Sequence, residues 1–136
     1  MTAFTNIPPH AVLPLGAYDL DELRKCALRA DQRLLHADLG GSGNKDTILA
    51  TLGSQFGLPE HFGKNLDALY DCVTDMKPPP DADQPGFVVI LQNLPQNDAF
   101  GVDERNALLD VFREAAEFFY DKDTAFRVFY SVARGA

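Results

Sequence analysis

Apolar and polar positions alternate with three kinds of spacing along the chain, and the spacing divides it into elements. Arg33-Leu34-Leu35-His36-Ala37-Asp38-Leu39 predicts a strand, closed by Gly40-Gly41-Ser42-Gly43. From Asn44 the apolar residues Ile48, Leu49, Leu52 and Phe56 recur at helical spacing. Gly57 suits the position just past that helix, and Pro59 prevents its continuation. A second helix is expected from about Asn65 to Met76. Phe87-Val88-Val89-Ile90-Leu91 is a continuous apolar run, as in a strand covered on both faces. Between Asp103 and Tyr120, Leu108, Val111, Phe112, Ala115, Phe118 and Phe119 mark a long amphipathic helix. Residues 125–132 read as a third strand.

The remaining stretches lack such a pattern. The first eighteen residues contain Pro8, Pro9 and Pro14 and read as an extended arm. Asp19, with Glu22 three residues on, opens a short helix through about Ala30, whose apolar side carries Leu20, Leu23 and Ala27. Residues 77–86 form a loop, since its prolines deny the backbone both helix and ladder hydrogen bonds. The order strand, helices, strand, helix, strand predicts an α/β fold: a small three-stranded parallel sheet with helices packed against it through right-handed crossovers. Residues 1–31 would supply an N-terminal arm and short helix, and residues 32–136 the domain itself. A chain of 136 residues is the usual size for one core. The pattern leaves strand order open.

Composition narrows the class of partner. The chain is 46% hydrophobic and 24% charged, as in a folded globular protein. Its 12 basic and 20 acidic residues give a net charge of −8, which disfavours direct binding to nucleic acid or anionic membrane and favours a basic partner. No apolar run approaches the ~20 residues of a membrane span, and residues 1–15 do not resemble a secretory signal. Cys26 and Cys72 are too few for a disulfide scaffold, so free thiols in a reducing cytoplasm are expected, with a single bridge as the alternative.

Residues 65–76 carry the main functional signal. At about 100° per residue, Leu66, Leu69, Cys72, Val73 and Met76 share one arc, which is the core face. Asp67, Asp71, Thr74 and Asp75 project from the other side, with Tyr70 at the border. Asp67–Asp71 and Asp71–Asp75 are like-charge pairs at i,i+4, each unfavourable by ~0.2–0.5 kcal/mol. Asp is a weak helix former, and Asp75 sits where the helix dipole disfavours negative charge. Only Asp67, in the first turn behind an Asn65 N-cap, suits the helix. Lys64 is the last cation before Lys77. A solvated acidic face is the plain reading. Three aspartates a turn apart beside an aromatic, with no counter-charge, also match the arginines and lysines of a partner.

At this point a family resemblance becomes visible. Residues 58–72, Leu-Pro-Glu-His-Phe-Gly-Lys-Asn-Leu-Asp-Ala-Leu-Tyr-Asp-Cys, resemble the signature segment of the barstar family of ribonuclease inhibitors, and Val111-Phe112-Arg113-Glu114-Ala115 resembles its later helix. The likeness extends over roughly residues 32–133. It implies the parallel fold above; no catalysis by the chain, no cofactor and no metal are expected. It also implies that the segment from His61 to Asp75 plugs the active site of a small basic ribonuclease or similar basic toxin. By position, Asp71 matches the family's dominant acid, which occupies a phosphate site, and Asp67 a second acid on the base side. Thr74 matches a hydroxyl contact and Glu114 a third carboxylate. His61, Gly63, Asn65, Leu66 and Tyr70 match the contacting rim. The chain departs from the pattern where His61 replaces a tyrosine, Tyr70 a tryptophan and Asp75 a glycine, and residues 1–31 and the long 77–86 loop are additions. These departures bear on which target is recognised.

Three other classes compete with this one. An enzyme finds little support: His10, His36 and His61 are scattered over an arm, a strand and a loop, and no nucleophile elbow, P-loop or metal-ligand spacing is present. Cys72 falls on the apolar arc, which suits packing better than nucleophilic chemistry. A binding module for a different basic partner shares every residue named and differs only in its ligand. The third is a DNA mimic or a purely structural acidic protein; acids gathered on one helix, and not spread at phosphate-like intervals, argue against it. The free protein is expected to be a monomer.

Overall fold

The computed structural model describes residues 7–16, 18–59, 65–79 and 84–133. In chain order the elements are β1 (His10–Pro14), α1 (Leu20–Arg29), β2 (Arg33–Asp38), α2 (Lys45–Gln55), α3 (Leu66–Thr74), β3 (Gly86–Leu94), α4 (Val102–Tyr120) and β4 (Ala125–Val132). All strands pair in parallel, in the order β1-β4-β3-β2. The sheet thus has four strands where the hydrophobic pattern predicts three, because part of the supposed extended arm is a strand.

Local chemistry explains why β1 escapes pattern recognition. Phe126 N–H donates to the Pro9 carbonyl at 2.7 Å and Leu15 N–H to the Tyr130 carbonyl at 2.6 Å. Odd-numbered residues therefore face β4, and the backbone of His10, Val12 and Pro14 faces outward. Proline is tolerated there because the missing N–H lies on the outer edge, where no ladder bond is lost. A five-residue strand ending in proline is too short to develop a readable period.

The two sides of β3 reach two different cores. Phe87, Val89 and Leu91, with Phe126 and Val128 of β4, join Ile48, Leu49 and Leu52 of α2, Leu69 and Val73 of α3, and Leu108, Phe112 and Phe119 of α4. Val88, Ile90 and Phe129 meet Leu23 and Ala27 of α1 on the opposite face. Right-handed crossovers account for the split. The steps from β2 to β3 to β4 run one way across the sheet, and the step from β1 to β2 runs back the other way. Reversing direction while keeping the hand transfers the connecting helix to the other face, which is where α1 packs.

Arg127, buried on the α1 side, clips both ends of this N-terminal unit: its guanidinium contacts the Gln32 Oε1 and the Ile7 carbonyl, each at 3.5 Å. Burial lowers the pKa of that guanidinium, and Cys26 acts in the opposite sense. The helix ends are set by the residues that the sequence suggests. Asn44 caps α2, accepting from Thr47 N–H at 2.9 Å while Thr47 Oγ1 accepts from Asn44 N–H at 3.2 Å. Gly57, at φ +67°, takes the left-handed position after α2. Asp19 caps α1 through the backbone of Asp21 and Glu22.

Because α1 is the helix that covers Val88, Ile90 and Phe129, its anchor should matter globally. Leu23, only 3% exposed, is that anchor. Leu23→Ala is expected to lower unfolding free energy by about 2–5 kcal/mol in urea titration.

Candidate partner-binding site

Helix α3 is fastened to the protein by its inner side. Leu69 and Val73 are buried in the core, and Leu66, Ala68, Tyr70, Cys72 and Met76 pack partly against it. Asn65, itself exposed, caps the helix by accepting from Ala68 N–H at 2.7 Å. The helix proper ends at Thr74, whose hydroxyl donates to the Tyr70 carbonyl at 2.8 Å. This bond spends the Thr74 proton within the helix and leaves its oxygen lone pairs to accept from outside. Asp75 becomes the C-cap, its N–H donating to the Asp71 carbonyl at 3.1 Å, and Met76 N–H donates to the Val73 carbonyl at 3.2 Å.

Asp67, Asp71 and Asp75 are all exposed. Among the described residues the ion pairs are Lys25–Glu22 at 3.7 Å and Arg113–Asp110 at 2.7 Å, so none of these three aspartates is neutralised by a described cation. The burial of Leu69 and Val73 and the exposure of the aspartates follow the predicted arc. The negative field of the row also acts on Cys72: burial raises its thiol pKa most, and Asp71 and then Asp75 raise it further. Cys72 and Cys26 are both free thiols.

Glu114 comes to this side through α4. Ala107 and Leu108 line a small apolar pocket with Leu66 at the start of α3, and Phe118 lines a cleft with Cys72 and Met76 at its end. The two helices therefore run side by side in the same sense. Glu114, seven residues after Ala107 and four before Phe118, falls on the same stripe of α4 and is exposed. Its neighbour Arg113 is engaged by Asp110 and lines a different groove, beside β1.

The structure thus gathers Asn65, Leu66, Asp67, Tyr70, Asp71, Thr74 and Asp75 on one helix, with Glu114 on the helix beside it. His61 and Gly63 lie outside the described residues. The hydrophobic pattern did not mark the cleft of about 580 Å³ that borders the acidic row, lined by Arg33, Leu58, Pro59, Asp71, Thr74, Asp75, Met76 and Phe118 among others. Arg33 belongs to β2, and only the folded sheet brings it to the end of α3.

The exposed acidic row thus lies on one helix of a parallel α/β scaffold, without a described cation paired to it. Residues 32–131 match the family model described as Barstar (barnase inhibitor), and the chain belongs to the barstar family. Members of this family are inhibitors, not enzymes, and bind a ribonuclease partner. No curated protein matches the chain as a relative.

Two measurements probe the site without a partner. Asp71→Ala removes two like-charge pairs and a weak helix former, so it is expected to raise unfolding free energy by about 1 kcal/mol in low-salt urea titration. Raised pKa means less thiolate at a given pH. The pH midpoint for alkylation of Cys72 should therefore lie above that of an unstructured cysteine, near pH 8.5, and fall in Asp71→Ala.

Proposed function

We propose that the chain is a protein inhibitor of a small basic ribonuclease of the extracellular type, acting in the cytoplasm and monomeric when free. It performs no chemistry. A ribonuclease must concentrate positive charge to hold a phosphodiester and stabilise its transition state. Helix α3 offers carboxylates to the same cations, with Asp71 at the phosphate position, Asp67 beside it, and Glu114 reaching in from α4. The segment containing His61 and Gly63 supplies the rest of the rim, Tyr70 the apolar anchor and Asp75 an additional acid.

The observation that carries this reading is the acidic row itself. Three aspartates stand exposed, one turn apart, with no described cation paired to any of them. An arrangement that weakens its own helix is explained if those charges are compensated only in a complex. The helix is pre-formed, capped by Asn65 and pinned by Leu69 and Val73, so little ordering entropy is lost on docking. The net charge of −8 adds long-range attraction to a basic enzyme, an effect that salt screens.

Asp75, an acid that extends the row to the helix end, also fits a second target class, a basic toxin domain with other chemistry. The same assay separates the two. Purified protein is expected to abolish RNA cleavage by barnase or another small basic ribonuclease at one-to-one stoichiometry. Asp71→Ala should weaken the complex by at least about 2 kcal/mol, ~30-fold in Kd, mainly through faster dissociation. Full RNA cleavage by every such ribonuclease in the presence of excess inhibitor would falsify the ribonuclease assignment and leave the toxin.

A further inference from the structure

We infer that Arg33 is a specificity-determining residue of this inhibitor, selecting a ribonuclease that carries a carboxylate beside its basic active site. The inference rests on the inhibitory reading and adds to it the charge pattern of the partner. Arg33 opens β2 at the edge of the sheet, exposed, and makes no ion pair with a described residue. It is the only cation among the described residues lining the cleft that Asp71, Thr74 and Asp75 border. The remainder of the cleft is largely apolar, with Leu58, Pro59, Met76 and Phe118.

An enzyme surface docking on the acidic row must therefore meet a guanidinium at the end of the row. If that surface is uniformly basic, Arg33 repels it at close range, within the ~10 Å over which charges act at moderate ionic strength. If it presents an Asp or Glu there, the guanidinium takes it as a charge-assisted, bidentate partner. Attraction by the aspartates is common to all basic ribonucleases; the lone arginine distinguishes among them. Specificity of this kind combines a new attraction with a repulsion against the wrong partner.

Arg29 on α1 provides the control. It is exposed and belongs to the helix that packs on the opposite face of the sheet, so neutralising it changes net charge equally at a different place. The experiment measures Kd and association rate for a panel of small basic ribonucleases, barnase included, against wild type, Arg33→Ala and Arg29→Ala. Both variants should unfold in urea as wild type does, since both side chains are exposed.

Arg33→Ala is expected to narrow the ratio of Kd between the weakest-bound and tightest-bound ribonuclease by about tenfold, weakening the tightest and speeding association of the weakest. Arg29→Ala should leave the ratio unchanged. An unchanged ratio in Arg33→Ala, or an equal change in Arg29→Ala, overturns the role of Arg33 while leaving inhibition intact. Failure of wild type to bind any member of the panel overturns both readings.

Discussion

Mutual repulsion among Asp67, Asp71 and Asp75 is a local defect that the rest of the protein has to tolerate. Alone, a nine-residue helix carrying two aspartates and capped by a third would be marginal, because short helices depend on tertiary packing more than on propensity. Here Leu69 and Val73 sink into the core shared with α2, α4 and the sheet, and Asn65 satisfies the first turn. The hydrophobic contacts hold in place a charge pattern that the helix would not adopt for its own sake. Stability and the proposed binding surface thus lie on opposite sides of the same helix, and the outer side is free to vary while the inner side keeps the fold.

The same division recurs at the level of the sheet. Helices α2, α3 and α4 share one face, so the acidic row, Glu114 and the cleft with Arg33 all belong to a single layer. The β1–α1 unit occupies the far edge and the far face, clipped by Arg127 at both of its ends. The family match begins at residue 32, just where this unit stops. What precedes it extends the scaffold and leaves the acidic surface uncovered by α1.

Most of the architecture is legible in the sequence because it rests on strong local signals. The continuous run from Phe87 to Leu91 gives a strand buried on both faces, and its alternate residues do reach separate cores. Gly57, Asn44 and Asn65 mark helix ends through backbone chemistry that depends on few neighbours. The strand at His10–Pro14 is illegible for the converse reason: its identity comes from β4, more than a hundred residues away, and not from any period of its own. The candidate site divides likewise. The acids of α3 can be read from helical phase alone, and Glu114 only through a family resemblance. Arg33 has no local signal at all, since its relation to Asp71 and Asp75 exists only after β2 and α3 have been folded together.

Pairing of His10 with Phe126 has a consequence for how the chain is made. During synthesis β1 emerges long before β4, its neighbour in the sheet, and loop closure over so great a separation is slow compared with local helix formation. Until Tyr130 has been added, β1 has no complete ladder to join, and α1 covers a sheet that lacks β4 and β1. Strand β1 should therefore dock last although it is made before the strand it pairs with, completing the sheet only once β4 has arrived.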